Sequence, residues 1–233
     1  MKLVSIILFV LLQHAAANVE KTIFISPQAQ PPPKDASIDN LLLVPLSEGL
    51  STLRTELEAS FPTESEPHGT IHWFLLEGLQ PTSRYEVRIC WMATQPTSFS
   101  LIAYDVDTAF AHSGLLTSLS DYSYKRHEKL TEADEQLLHQ RKASPTENST
   151  FLFLQILAAA DYYSLNDTLM TTPPPVAVDI ILDRYILNVF PESLLPTGLY
   201  LTLLAAGAWF LSRWISALLV RPSSVEEVSK KTN

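Results

Sequence analysis

The sequence predicts a mainly β fold, an antiparallel β-sandwich followed by one C-terminal transmembrane α-helix. Three observations carry that prediction. Short apolar runs, one of them with clean period-two alternation, recur between turn-rich segments. Proline is plentiful and glycine scarce, 16 against 6 in 233 residues, which breaks the chain often but leaves few glycine-rich loops of the kind that cradle phosphates. An uncharged stretch of twenty residues runs from Ser193 to Ser212. Composition then excludes several classes. One Cys cannot build a disulfide framework or a Cys-rich zinc site. A net charge of -9 argues against nucleic acid as a partner, because phosphates need a basic face. A hydrophobic fraction of 46% is too high for a disordered chain.

Residues 1–17, MKLVSIILFVLLQHAAA, read as a secretory signal peptide. Lys2 is its positive start, Leu3 to Leu12 its apolar core, and Ala15 and Ala17 its small-x-small cleavage site. Ten apolar residues reach only about 15 Å as a helix, half the ~30 Å hydrocarbon core, so this segment does not span a membrane. Cleavage after Ala17 leaves residues 18–193 as one lumenal domain.

That domain reads mostly as strand. Val19 to Ile25 is short and β-rich, and residues 26–35 form an extended, proline-rich connection. Leu41 to Leu46 contains Pro45 and makes an edge strand at best. Ser51 to Ser60 reads as two helical turns. Thr70 to Leu76, Phe99 to Tyr104, Phe151 to Ala158 and Val176 to Leu182 read as strands. Tyr85 to Trp91 alternates, placing Tyr85, Val87, Ile89 and Trp91 on one apolar face. Leu79, Pro81 and Tyr85 stand in a Leu-x-Pro-x-x-x-Tyr arrangement that resembles the tyrosine corner of fibronectin-type and Ig-like sandwiches. There the leucine plugs the core, proline sets the turn and the tyrosine hydroxyl bonds back to the loop. The charged segment 125–149 interrupts the strand pattern and reads as an exposed insert. Thr131 and Asp134 there suit a capping box for a short helix.

Candidate chemistry is sparse. Asn148 and Asn166 open glycosylation sequons. Asp105 and Asp107 match the Asp-x-Asp pattern that holds a divalent cation in many nucleotide-sugar glycosyltransferases, but no nucleotide-binding α/β unit surrounds them, and a solvated strand end is the better reading. His68 and His72 straddle Gly69 at the start of a strand, where a four-residue spacing does not bring side chains together. Cys90 lies mid-strand between Ile89 and Trp91 and reads as a buried thiol. No catalytic, cofactor-binding or metal residue is assigned, and nothing calls for a cofactor.

The uncharged C-terminal stretch reads as a span over about residues 197–218, within a membrane segment and flanks of 194–220. Pro196 suits its first turn, and Arg213 and Trp214 suit a headgroup boundary. Ala208, Ser212 and Ser216 recur every four residues, a small-residue stripe that lets another helix approach closely. Tyr185 to Leu195 mixes apolar and polar residues as a segment lying along the membrane interface does. Arg213, Arg221, Lys230 and Lys231 fall on the cytosolic side of a single-pass type I topology. In the cytosolic tail, 221–233, Lys230 and Lys231 match the dilysine signal by which coat proteins retrieve cargo to the endoplasmic reticulum.

Three blocks carry a family likeness: KTIFISP, HWFLLEGLQPTSRYEVRICWMATQPTSF, and AAADYYSLNDTLMTTPPPVAVDIILDRYILNVFPESLLPT. With the single span, they resemble the fungal GPI-mannosyltransferase II co-activator family over nearly the whole chain. The resemblance implies an accessory subunit of the endoplasmic reticulum membrane. Its partner would be the multi-spanning enzyme that adds the second mannose to the GPI-anchor precursor, using dolichol-phosphate mannose. No catalytic residues carry over. The 125–149 insert is the one departure. The alternative is a type I cargo receptor cycling between endoplasmic reticulum and Golgi, against which the single Cys and the lack of a heptad stalk both weigh.

Overall fold

The computed structural model describes residues 18–28, 38–129, 136 and 150–219. The expected signal segment with Ala15 and Ala17, most of the 125–149 insert with Asn148, and the tail with Lys230 and Lys231 lie outside the described residues. The fold divides after Pro191 into a β domain and a helical unit. The β domain begins with β1 (Val19–Ile25), a single 3-10 turn (Ile38–Leu41), β2 (Pro45–Leu46) and β3 (Thr52–Leu57). It continues with β4 (Thr70–Glu77), β5 (Arg84–Trp91) and β6 (Thr97–Asp105). Two helices follow, α1 (Val106–Ala111) and α2 (Ser113–Lys129). Then come β7 (Phe151–Ala160), α3 (Asp167–Thr171), β8 (Val176–Ile186) and β9 (Phe190–Pro191).

The strands form two sheets. The first has the order β1-β5-β8-β3, with β9 added to β8, and every pairing in it is antiparallel. The second has the order β2-β4-β7-β6, antiparallel except for the parallel contact of the two-residue β2 with β4. The alternation read in Tyr85 to Trp91 places Tyr85, Val87 and Ile89 fully in the core between the sheets, with Trp91 half-buried at its margin. Facing them across the core are Phe74, Leu76, Phe99, Leu154 and Ile156 of the second sheet. The molecule is therefore mainly β with two stacked sheets, as expected.

The second sheet is apolar on both faces. Trp73, Leu75 and Phe153 point away from the first sheet into a second core, closed by Ile38, Leu43, Ala109 and Leu119. The Trp73 indole N–H finds the Ser118 hydroxyl of α2 at 3.1 Å, which satisfies its one polar atom inside that core. Thus α1 and α2 make a third layer. Residues 125–129, expected as part of an exposed insert, continue α2. Arg126 holds them by donating from Nε to the Leu42 carbonyl at 2.8 Å.

A second departure is at Ser51 to Ser60, expected as helix and found largely as the strand β3. Leu53 and Leu57 are four apart, a spacing that places both on one side of a helix and also on one side of a strand. Full antiparallel pairing with β8 decides between them. Tyr185 and Ile186, expected at the membrane interface, end β8 and pair with Pro191 and Phe190. The connecting turn puts Leu187 and Asn188 at φ 52° and 58°, both left-handed as a type I′ turn requires. Asparagine tolerates that region; leucine there costs on the order of 1 kcal/mol.

The helical unit contains α4 (Leu195–Leu219), with Pro196 in its first turn. Its 25 residues are about 38 Å long at 1.5 Å each, and none of them is buried. It is long and apolar enough to cross a membrane. Arg213 lies over the Trp209 ring at 5.2 Å.

Gly69 tests the packing of the second sheet. Its φ is 73°, and a Cβ there would run into the Ala158 carbonyl of β7. Gly69→Ala is expected to destabilise the β domain by more than about 2 kcal/mol through left-handed strain plus the backbone collision, read as a lowered unfolding midpoint in detergent.

Candidate functional site

The outward face of the first sheet has no covering layer among the described residues. Register decides what stands on it. Lys21 lies opposite Arg88, Ile23 opposite Glu86, and Glu86 opposite Asp183, so all of these share the outward side. The edge strand β1 adds Val19, Ile23 and Ile25, which are 39%, 49% and 62% exposed. An apolar margin therefore borders a charged centre.

That centre is drier than its position implies. Glu86 and Asp183 are buried, because the neighbouring long side chains close over them. Glu86 accepts from Lys21 Nζ at 3.1 Å and from the Tyr185 hydroxyl at 2.9 Å. Arg88 Nη1 lies 3.5 Å from Glu86 and 3.6 Å from Asp183. Two cations thus balance two carboxylates, as burial of charge requires. Arg54 and Asp179 add a bidentate pair at 2.7 and 2.9 Å on the same face, with Arg54 exposed and Asp179 half-buried. That hydrogen bonding holds the Asp179 carboxyl below its ordinary range and Arg54 above its own. Cys90, opposite Asp179, is half-buried rather than buried, and burial pushes its thiol pKa up.

Below this face lies the connection from β4 to β5. Leu79 is buried in the core and Pro81 is exposed. The Tyr85 hydroxyl accepts the Gln80 N–H at 2.8 Å and donates to Glu48 at 2.5 Å. Burial first, then the Glu48 bond, raises the Tyr85 pKa far above its ordinary value, so the hydroxyl remains a donor. Thr82 takes a left-handed φ of 57° to make the turn. Glu48 as a partner of Tyr85 was not visible in the sequence, since 37 residues separate the two.

Neither a curated protein nor a solved structure matches the chain. A family model described as GPI-mannosyltransferase II co-activator matches residues 8–214, which reach through the β domain and most of α4. The chain belongs to this co-activator family.

The remaining predicted residues are scattered over the co-activator fold. Asn166 is exposed and caps α3, its side chain accepting the Thr168 N–H at 3.0 Å. Asp105 ends β6 and Asp107 lies in the first turn of α1. Among the described residues no three His, Cys, Asp or Glu side chains assemble as a metal site. His68 is exposed, whereas His72 is buried and donates from Nε2 to the Glu58 carbonyl at 2.7 Å. Ala208, Ser212 and Ser216 are exposed on α4.

Two expectations follow. Glu86→Ala leaves Arg88 beside a single carboxylate and should cost about 3 kcal/mol, against at most about 1 kcal/mol for Arg54→Ala at the solvated pair, both read by thermal unfolding. Burial lowers the His72 pKa below its ordinary 6.5, so the unfolded chain takes up that proton first. Stability is then full above that ordinary value and falls as pH drops through it. The unfolding midpoint should decline between about pH 7 and 5, and His72→Gln should flatten the decline.

Proposed function

We propose that this co-activator is a non-catalytic accessory subunit of the enzyme that adds the second mannose to the GPI-anchor precursor. The family match over residues 8–214 carries the reading. The partner is the multi-spanning catalytic subunit in the endoplasmic reticulum membrane. The β domain docks through the outward face of its first sheet on lumenal loops of that enzyme. Val19, Ile23 and Ile25 supply apolar contact there, and the self-neutralised network around Glu86 supplies defined polar geometry. The helix α4 crosses the membrane once and packs along an enzyme helix through Ala208, Ser212 and Ser216. In this reading residues 1–17 direct secretion with cleavage after Ala17, Asn148 and Asn166 carry lumenal glycans, and Lys230 and Lys231 are read by coat proteins. The function is stabilisation of the enzyme, without any step of mannose transfer on this chain.

The test is purification of the full chain from mild detergent, tagged just after Ala17 so that Lys230 and Lys231 stay free. Near-stoichiometric recovery of a multi-spanning mannosyltransferase is expected. Ile23→Asp with Ile25→Asp, and separately Leu at Ala208, Ser212 and Ser216, should each lower that recovery about tenfold, a loss of ~1.4 kcal/mol of association. Recovery of coat proteins and mixed secretory cargo without the enzyme would overturn the reading.

A further inference from the structure

The β8–β9 turn presents an apolar tip that the β domain does not use. Leu187 is 90% exposed, Val189 77% and Phe190 40%. The turn is otherwise well made. Val189 N–H donates to the Ile186 carbonyl at 3.1 Å, and the Asn188 side chain accepts the Arg84 N–H at 2.8 Å, strapping the tip to the neighbouring Thr82 turn. A turn built only for water would carry asparagine and glycine at its two left-handed positions. Here the first of them is a leucine held at φ 52° with its side chain in solvent. Such strain persists where the exposed side chain has a use.

Three observations point to one occupant. Phe190 is five residues from Leu195, the start of α4, so at no more than about 3.6 Å per residue the tip lies within about 18 Å of the apolar helix along the chain. Arg84 stacks over the Tyr185 ring at 5.9 Å beside the tip, the cation and amphipathic ring that suit a headgroup layer. Beside them a hollow of about 490 Å³ is lined by Gln80, Thr82, Ser83 and Arg184 on one side and by Ile186 and Leu187 of the hairpin on the other, polar groups next to apolar ones as at a headgroup boundary. We propose that Leu187, Val189 and Phe190 insert into the lipid headgroup–acyl boundary next to the span, with Arg84 and Tyr185 at headgroup level. This second, shallow anchor holds the β domain at the bilayer surface. The inference rests on α4 being a membrane span.

The test uses the purified full chain in phosphatidylcholine vesicles, in a Cys90→Ser background. Single cysteines at Leu187→Cys, Val189→Cys, Ser65→Cys and Leu211→Cys are labelled with an environment-sensitive fluorophore. Expected is a blue-shifted emission at positions 187 and 189, quenched severalfold by lipids carrying a nitroxide near the headgroup, while position 65 is unshifted and unquenched. Position 211 should be quenched by a deep nitroxide. Water-like emission at 187 and 189, with 211 quenched, overturns the anchor alone. Blue-shifted but unquenched emission there places the tip against protein and also overturns it. An unquenched 211 shows instead that the span reading has failed.

Discussion

The second sheet must be kept dry on both faces, and the rest of the β domain is arranged around that constraint. Its two central strands, β4 and β7, are apolar almost without a break, so neither side tolerates water. The first sheet closes one side. The helices α1 and α2, with the 3-10 turn before β2, close the other. Once the second sheet has taken those covers, none remains among the described residues for the outward face of the first sheet. The open face is thus a consequence of the layer order rather than a local accident of sequence.

What stands on that face is arranged to be left open. The carboxylates of Glu86 and Asp183 are shielded from solvent but neutralised by Lys21 and Arg88, so the centre of the face carries little net charge. A buried pair of this kind adds little to stability against an apolar replacement, while it does hold side chains in one arrangement. Beside it the edge strand β1 offers three partly exposed aliphatic residues. In the proposed function this face is the contact surface with the mannosyltransferase.

The Tyr85 hydroxyl shows how the two sheets are tied. It sits where β4 of one sheet passes to β5 of the other, and it joins three segments: Gln80 of the loop, the start of β5 and Glu48 before β3. Thr150 adds a bond from just before β7 to the Leu79 carbonyl at 2.8 Å. These links fix the end of the sandwich from which Arg84, Tyr185 and the β8–β9 turn project.

Much of this was legible in residues taken one segment at a time. Short apolar, β-rich runs between turn signals located β1 and β4 to β8, and alternation gave the buried face of β5, because side chains on a strand must alternate whatever they pair with. The uncharged run located α4, and Leu79, Pro81 and Tyr85 located the turn between the sheets. The sequence by itself thus determined where chain becomes strand, turn or apolar helix, since those depend on neighbours within a few residues. Leu53 and Leu57 were ambiguous, because a spacing of four suits helix and strand alike, and only pairing with β8 resolved it. The helices α1 and α2 carried a weak signal, Leu115, Leu119, Tyr122 and Arg126 at helical spacing in a largely polar segment. Only the tertiary structure decided which face stays open, which carboxylates are buried and that Glu48 meets Tyr85. Those outcomes depend on which layer covers which, and that is set by contacts between residues tens of positions apart.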